Sequence, residues 1–150
     1  EKIGIINIKD GDLDLINNLL DIMKNAKADF TLVFRYLADF VIGKENLLIN
    51  LFDDSKKINE WIVNWKNRIE KEGKFDKLLC KKMKKINPLY IPRNHLVEYA
   101  LDEALSGDNY EPFNTLLNYV TNPFDEVPNS KKYTMPAPIT NKPYKTFCGT

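Results

Sequence analysis

The stretch Ser55-Lys56-Lys57-Ile58-Asn59-Glu60-Trp61-Ile62-Val63-Asn64-Trp65-Lys66-Asn67-Arg68-Ile69 decides the fold. Its residues Ile58, Trp61, Ile62, Trp65 and Ile69 recur every three or four positions, so on a helix they form one apolar stripe. No period-two alternation of comparable length competes with it anywhere in the chain. Ser55 offers a side-chain oxygen as N-cap, and Gly73 lies where the helix must stop. Trp61 and Trp65 stand four residues apart on one face and read as core, not as a platform for a ligand.

The same period extends outward in both directions. Asp12 opens a helix to about Asn25 with Leu13, Ile16, Leu19, Leu20 and Met23 at helical spacing, and a second runs from Asp29 to Val41 before Gly43. A lysine-rich helix spans about Asp76 to Lys85 and must end near Asn87-Pro88, because proline disfavours helical backbone in the residue before it. Another runs from Pro92 to Ser106. The last has Pro112 in its first turn, with Phe113, Leu116, Leu117 and Val120 expected on its inner face. An extended stretch at Ile3–Ile8 is the only strand candidate. The expected fold is therefore all-α: about six helices over residues 1–121, then an extended, proline-rich tail over 122–150. That tail holds five of the eight prolines. Its aromatics Phe124, Tyr133, Tyr144 and Phe147 favour a docked tail over a bare linker.

With 43% apolar residues in 150, the chain can bury a domain-sized core. Its 22 basic and 21 acidic residues leave a net charge of +1, too little to draw in nucleic acid or an anionic membrane. Two cysteines, Cys80 and Cys148, are too few for a secreted disulfide scaffold and point to a reducing compartment. No apolar run approaches the ~20 residues that span a bilayer. The six glycines are isolated, so no loop can cradle phosphates with successive amides. One histidine and no Cys-x-x-Cys leave no metal-ligand pattern. A chain that opens on Glu1 instead of Met, already in mid-domain texture, reads as a piece of a larger protein.

Few residues carry chemistry. His95 has no partner evident in sequence and reads as a packed or capping histidine. Lys74, Lys77, Lys81, Lys82, Lys84 and Lys85 could form a phosphate strip, but such a run is usually a solvated face. Arg35 lies among Phe30, Thr31, Phe34 and Tyr36, and Arg93-Asn94 opens a helix directly after Pro92. A buried arginine must be paired, so each is expected to hold an ion pair or a backbone carbonyl, or to serve an interdomain contact. No catalytic, cofactor-binding or metal-binding residue is assigned.

Several blocks together resemble the C-terminal region of the selenoprotein O (SelO, YdiU) family. The main one is Asn87-Pro88-Leu89-Tyr90-Ile91-Pro92-Arg93-Asn94-His95-Leu96-Val97-Glu98, running on through Ala100, Ala104 and Gly107-Asp108. Asp29-Phe30-Thr31 with Phe34-Arg35-Tyr36-Leu37 is similar to a second block, and Asn122-Pro123-Phe124-Asp125-Glu126 to a third. Phe147-Cys148-Gly149-Thr150 sits where members carry one terminal cysteine or selenocysteine, although Gly149-Thr150 departs from the serines common there.

The resemblance implies a parent with a kinase-like domain that transfers AMP from ATP to protein hydroxyls with a divalent metal such as magnesium. The family's nucleotide and metal residues lie upstream of the matched region, and none carries over. It implies that this region braces or covers that upstream domain, with Arg35, Asn87, Pro88, Arg93 and Asn94 as structural or interdomain candidates and Cys148 as a candidate redox thiol. Protein substrates would be partners of the parent, located in the cytoplasm of a bacterium or, in a eukaryote, in mitochondria. The rival readings are an independent helical protein-interaction module and, more weakly supported, a free-standing enzyme built around His95.

Overall fold

The apolar periodicity is realised in a computed structural model that describes residues 1–73 and 75–137. Among these residues there are eight α-helices and no strand. The chain divides into two compact units, Glu1–Leu89 and Tyr90–Thr150. The division falls inside the block that resembles the SelO family, well before the change of composition at Thr121.

In the first unit, α1 (Asp12–Ala26) packs on α4 (Ser55–Glu70), and α2 (Phe30–Phe40) packs on both α3 (Glu45–Ile49) and α5 (Lys77–Ile86). The stripe of α4 is buried as expected: Ile58, Trp61, Ile62, Trp65 and Ile69 are each no more than 5% exposed. Trp61 and Trp65 stack with ring centroids 5.7 Å apart. A buried indole must still place its N–H. Trp61 Nε1 donates to the Leu15 carbonyl at 2.8 Å and Trp65 Nε1 to that of Ile3 at 2.7 Å. The two tryptophans thereby tie α4 to α1 and to the N-terminal segment. Of the eleven residues of α2, eight are buried, including Arg35 and Asp39, so α2 is the central helix of this unit.

Local details differ from the sequence reading. Asp54, not Ser55, caps α4 by accepting from Lys56 N at 2.9 Å, because the extended residue before the helix aims its side chain back at the first amides. Gly11, in left-handed backbone, occupies the cap position of α1, and Asp12 is its first helical residue. The Ile3–Ile8 segment is not a strand. Gly4 turns it with φ +82°, and a Cβ there would lie 3.1 Å from Leu79 Cδ1 and 3.2 Å from Met83 Sδ. Leu13, in the apolar stripe expected for α1, is 68% exposed, and Phe30 at the start of α2 is 55% exposed. The five-residue α3 is too short to display a period.

The second unit is a helical hairpin, α6 (Asn94–Gly107) on α7 (Glu111–Thr121), followed by the short α8 (Lys131–Thr134). The hairpin buries Leu96, Ala100 and Leu116. Phe113 and Leu117, expected inside, are 42% and 46% exposed. Among the described residues α7 packs mainly on α6, with Tyr119 also against the Tyr90 and Tyr133 rings, and part of its broad apolar stripe stays out. The segment after Thr121, expected to be extended, turns at once and forms α8. The prolines at 138 and 143, with Tyr144, Phe147 and Cys148, lie outside the described residues.

Candidate functional site

Arg35 is 1% exposed, at the middle of α2. Its Nη1 donates to the carbonyls of Lys84 and Asn87, both at 3.0 Å. These are among the last carbonyls of α5, which the helix itself cannot satisfy and where its dipole favours a cation. One turn further along α2, the buried Asp39 carboxylate forms an ion pair with Lys84 Nζ at 2.6 Å. Arg35 and Asp39 thus grip the end of α5 by backbone and by side chain together. Asn87 is fully buried and extended, as the residue before Pro88 should be, and its Nδ2 donates to the Lys2 carbonyl at 2.7 Å. Arg35 and Asn87, predicted from sequence, therefore meet in one clasp that joins α2, α5 and the N-terminal segment. Pro88, half-buried, terminates it.

A second network had no counterpart in the sequence reading. Arg68 grips Asp12 in bidentate fashion, Nε to Oδ1 at 2.6 Å and Nη2 to Oδ2 at 2.8 Å. Its Nη1 meets Glu72 Oε1 at 2.9 Å, and Glu72 Oε2 accepts from the Asn7 amide. The hydrogen bond from Arg68 holds the Asp12 carboxyl below the ordinary carboxylate range against the opposing effect of burial. Burial pushes the Glu72 carboxyl up, but its bonds to Arg68 and Asn7 outweigh that and leave it lowered. The four-residue spacing of Arg68 and Glu72 was a readable signal, whereas Asp12 is 56 residues away from Arg68 and was not.

In the second unit the organising residue is Tyr90. Its hydroxyl accepts from Val127 N at 3.2 Å and donates to Ser130 Oγ at 2.7 Å, and Ser130 Oγ in turn donates to the Val127 carbonyl at 2.7 Å. Its ring begins a stack continued by Tyr119 and Tyr133, with centroids 4.7 and 4.5 Å apart. Arg93 is buried at the start of α6, where its carbonyl accepts from Leu96 N and Val97 N, while Asn94 is exposed. His95 is half-buried; burial, followed by the charge of Arg93, lowers its pKa, with Glu98 opposing.

Of the basic strip, Lys77, Lys81, Lys82 and Lys85 are exposed, whereas Lys84 is half-buried in its pair with Asp39. Lys74 and Cys148 lie outside the described residues. Among the described residues no group of three or more His, Cys, Asp or Glu side chains could hold a metal ion, and no helix is long and apolar enough to cross a membrane. The clasp, the Arg68 network and the tyrosine stack each fix the path of the backbone. None sets a nucleophile beside a base.

Comparison with known proteins gives the context for this architecture. The model of the family described as "Protein adenylyltransferase SelO" matches residues 1–121. The "Protein nucleotidyltransferase YdiU" of Maridesulfovibrio salexigens is 40% identical over 137 residues, covering 91% of this chain and 28% of the relative. Proteins of the same name from Agrobacterium fabrum and Bacillus cereus are 35% and 36% identical over 150 residues each, covering 100% of this chain and 31% and 30% of themselves. The chain thus spans less than a third of the length of these curated relatives and aligns with a C-terminal region of them. With the family model matched from the N-terminal segment through α7, the chain belongs to the protein adenylyltransferase SelO family.

Proposed function

We propose that this chain is the helical C-terminal region of a protein adenylyltransferase, whose kinase-like domain, outside this chain, moves AMP from ATP to hydroxyl groups of other proteins. The observation that carries this reading is the family match over residues 1–121. The chain's own residues support a bracing role. Arg35, Asn87, Arg68 and Tyr90 spend their polar groups on backbone geometry, which is what a rigid support for a neighbouring domain requires. In this reading ATP and magnesium are held by the upstream domain, and no step of the transfer is assigned to residues of this chain.

The test is to incubate the full-length polypeptide with protein acceptors, magnesium and ATP labelled in either the α- or the γ-phosphate. The expected result is α-label on acceptor hydroxyls. Transfer of γ-label alone would make the parent a phosphotransferase and overturn the reading.

Cys148 is proposed as a regulatory thiol, since a disulfide in a reducing compartment is usually a switch. Under peroxide its thiol and a cysteine of the upstream domain would together give up two electrons and two protons, forming one S–S bond. Cys148→Ala should then remove any dependence of AMP transfer on oxidant, read by activity before and after dithiothreitol. An unchanged oxidant response in that variant removes the proposal.

A further inference from the structure

The helical hairpin of the second unit carries an open groove of about 160 Å³ between Leu101 of α6 and Phe113 and Leu117 of α7. That is about the room a single aromatic ring fills. The lining is wholly apolar, and those three side chains stand exposed along it. The surroundings are acidic. Residues 94–121 hold five carboxylates, at Glu98, Asp102, Glu103, Asp108 and Glu111, and no lysine or arginine. Glu98 and Asp102 are exposed, and three- and four-residue spacing sets them beside Leu101 and Leu105 on the surface of α6. Among the described residues neither forms an ion pair. Over residues 90–137 seven acids stand against three bases, Arg93, Lys131 and Lys132, so this part of the chain is net negative. Of those bases, Arg93 is buried and Lys132 lies over the rings of Tyr99 and Tyr133.

The remainder of the chain, residues 138–150, lies outside the described residues, and its sequence has the opposite character: Lys142 and Lys145, no acid, and the rings of Tyr144 and Phe147. It starts near the groove. Tyr133, four residues before Ala137, packs against Val97, Ala100, Leu116 and Val120, which also line the groove. Tyr144 lies seven residues beyond Ala137. Extended chain of that length reaches roughly 20 Å, about twice the distance between the axes of two packed helices. We propose that residues 138–150 dock on this hairpin of their own chain, with the Tyr144 ring seated between Leu101 and Leu117 and with Lys142 and Lys145 set against Glu98 and Asp102. The apolar slot gives affinity, and the opposite charges fix the register. A short tether also keeps the segment at high effective concentration, so even a modest match fills the groove.

The test compares the intact full-length polypeptide with one shortened to end at Ala137. The probe is a fluorescein-labelled peptide of residues 138–150 carrying Cys148→Ser. No ATP is present, so the outcome depends neither on AMP transfer nor on the Cys148 thiol. Fluorescence anisotropy should show saturable binding to the shortened protein, and binding weaker by about tenfold or more to the intact one, whose own segment fills the groove. Y144A in the peptide, or L101D/L117D in the protein, should each weaken binding by about tenfold or more. A K142E/K145E peptide should bind the E98K/D102K protein more tightly than the unsubstituted one, a gain that misfolding could not produce. Equal binding to the intact and shortened proteins would overturn the proposal, because the groove would then stand free of its own segment. Absence of saturable binding to the shortened protein would overturn it too. In that case a sedimentation mass that falls towards monomer in Leu117→Asp would give the groove to a second copy, and an unchanged mass would give it to the rest of the polypeptide.

Discussion

The two units solve the same problem, holding helices together, by different means. Residues 1–89 bury a continuous core from Ile3 to Met83 around two stacked tryptophans, and spend their buried charges on closing it. The second unit has Leu96, Ala100 and Leu116 as its buried apolar cluster, and leaves Leu101, Leu105, Phe113 and Leu117 between 42% and 86% exposed. Its order comes from hydrogen bonds and rings centred on Tyr90. A unit stabilised by volume should respond to cavities, whereas one stabilised by a polar hub should respond to the loss of single atoms.

The largest effect is therefore expected in the first unit. Trp65→Ala should cost about 3–5 kcal/mol in denaturant unfolding, because truncating a fully buried aromatic leaves a void. A cost near that of a surface substitution would show that the unit tolerates collapse around α4.

Next comes the clasp. Arg35→Met keeps much of the side-chain volume but leaves the carbonyls of Lys84 and Asn87 short of a donor. It should cost about 1–3 kcal/mol for each carbonyl left buried and unsatisfied, read by the same unfolding curves. Amide exchange should also quicken in the last turn of α5 ahead of α4.

Tyr90→Phe tests the hub. It retains the stack on Tyr119 but removes one donor and one acceptor, for an expected loss of about 1–3 kcal/mol. That loss should appear as faster amide exchange in residues 122–134 with the first unit unaffected. If exchange rises equally in both units, the division at Leu89–Tyr90 does not hold in solution.

A smaller contrast appears only in acid. Asp12 and Glu72 both titrate below their ordinary values of 3.8 and 4.5. Their contribution is present above those values and is lost as pH falls through the lowered folded values. Melting temperature of the first unit should begin to drop near pH 4.5 and keep falling below 3.8. Asp12→Asn should flatten the lower part of that curve. The smallest effect is expected at Lys81→Ala, within about 0.5 kcal/mol, since its side chain is exposed and makes no ion pair among the described residues.

What the sequence by itself determined is what repeats locally. Ile58 through Ile69 announced a buried helix face because burial of one side of a helix imposes a 3.6-residue period on the chain. Asn87-Pro88 announced a stop because proline constrains its neighbour directly. Arg35 announced a need for partners because a buried cation is unstable without them, although which partners it would find could not be read. The blocks around Asn87 and Asp29 likewise carried the family.

Tertiary structure alone decided the rest. It chose the Lys84 and Asn87 carbonyls for Arg35, about fifty residues away, and Asp12 for Arg68. It turned Phe113 and Leu117 outward, because an apolar stripe says that a face wants cover but not whether a neighbour is there to give it. It folded residues 122–134 back through Tyr90, and the four-residue α8 in that segment is too short to show a period. Pairing over long separations depends on where the backbone has already been placed, and that information is spread over the whole chain.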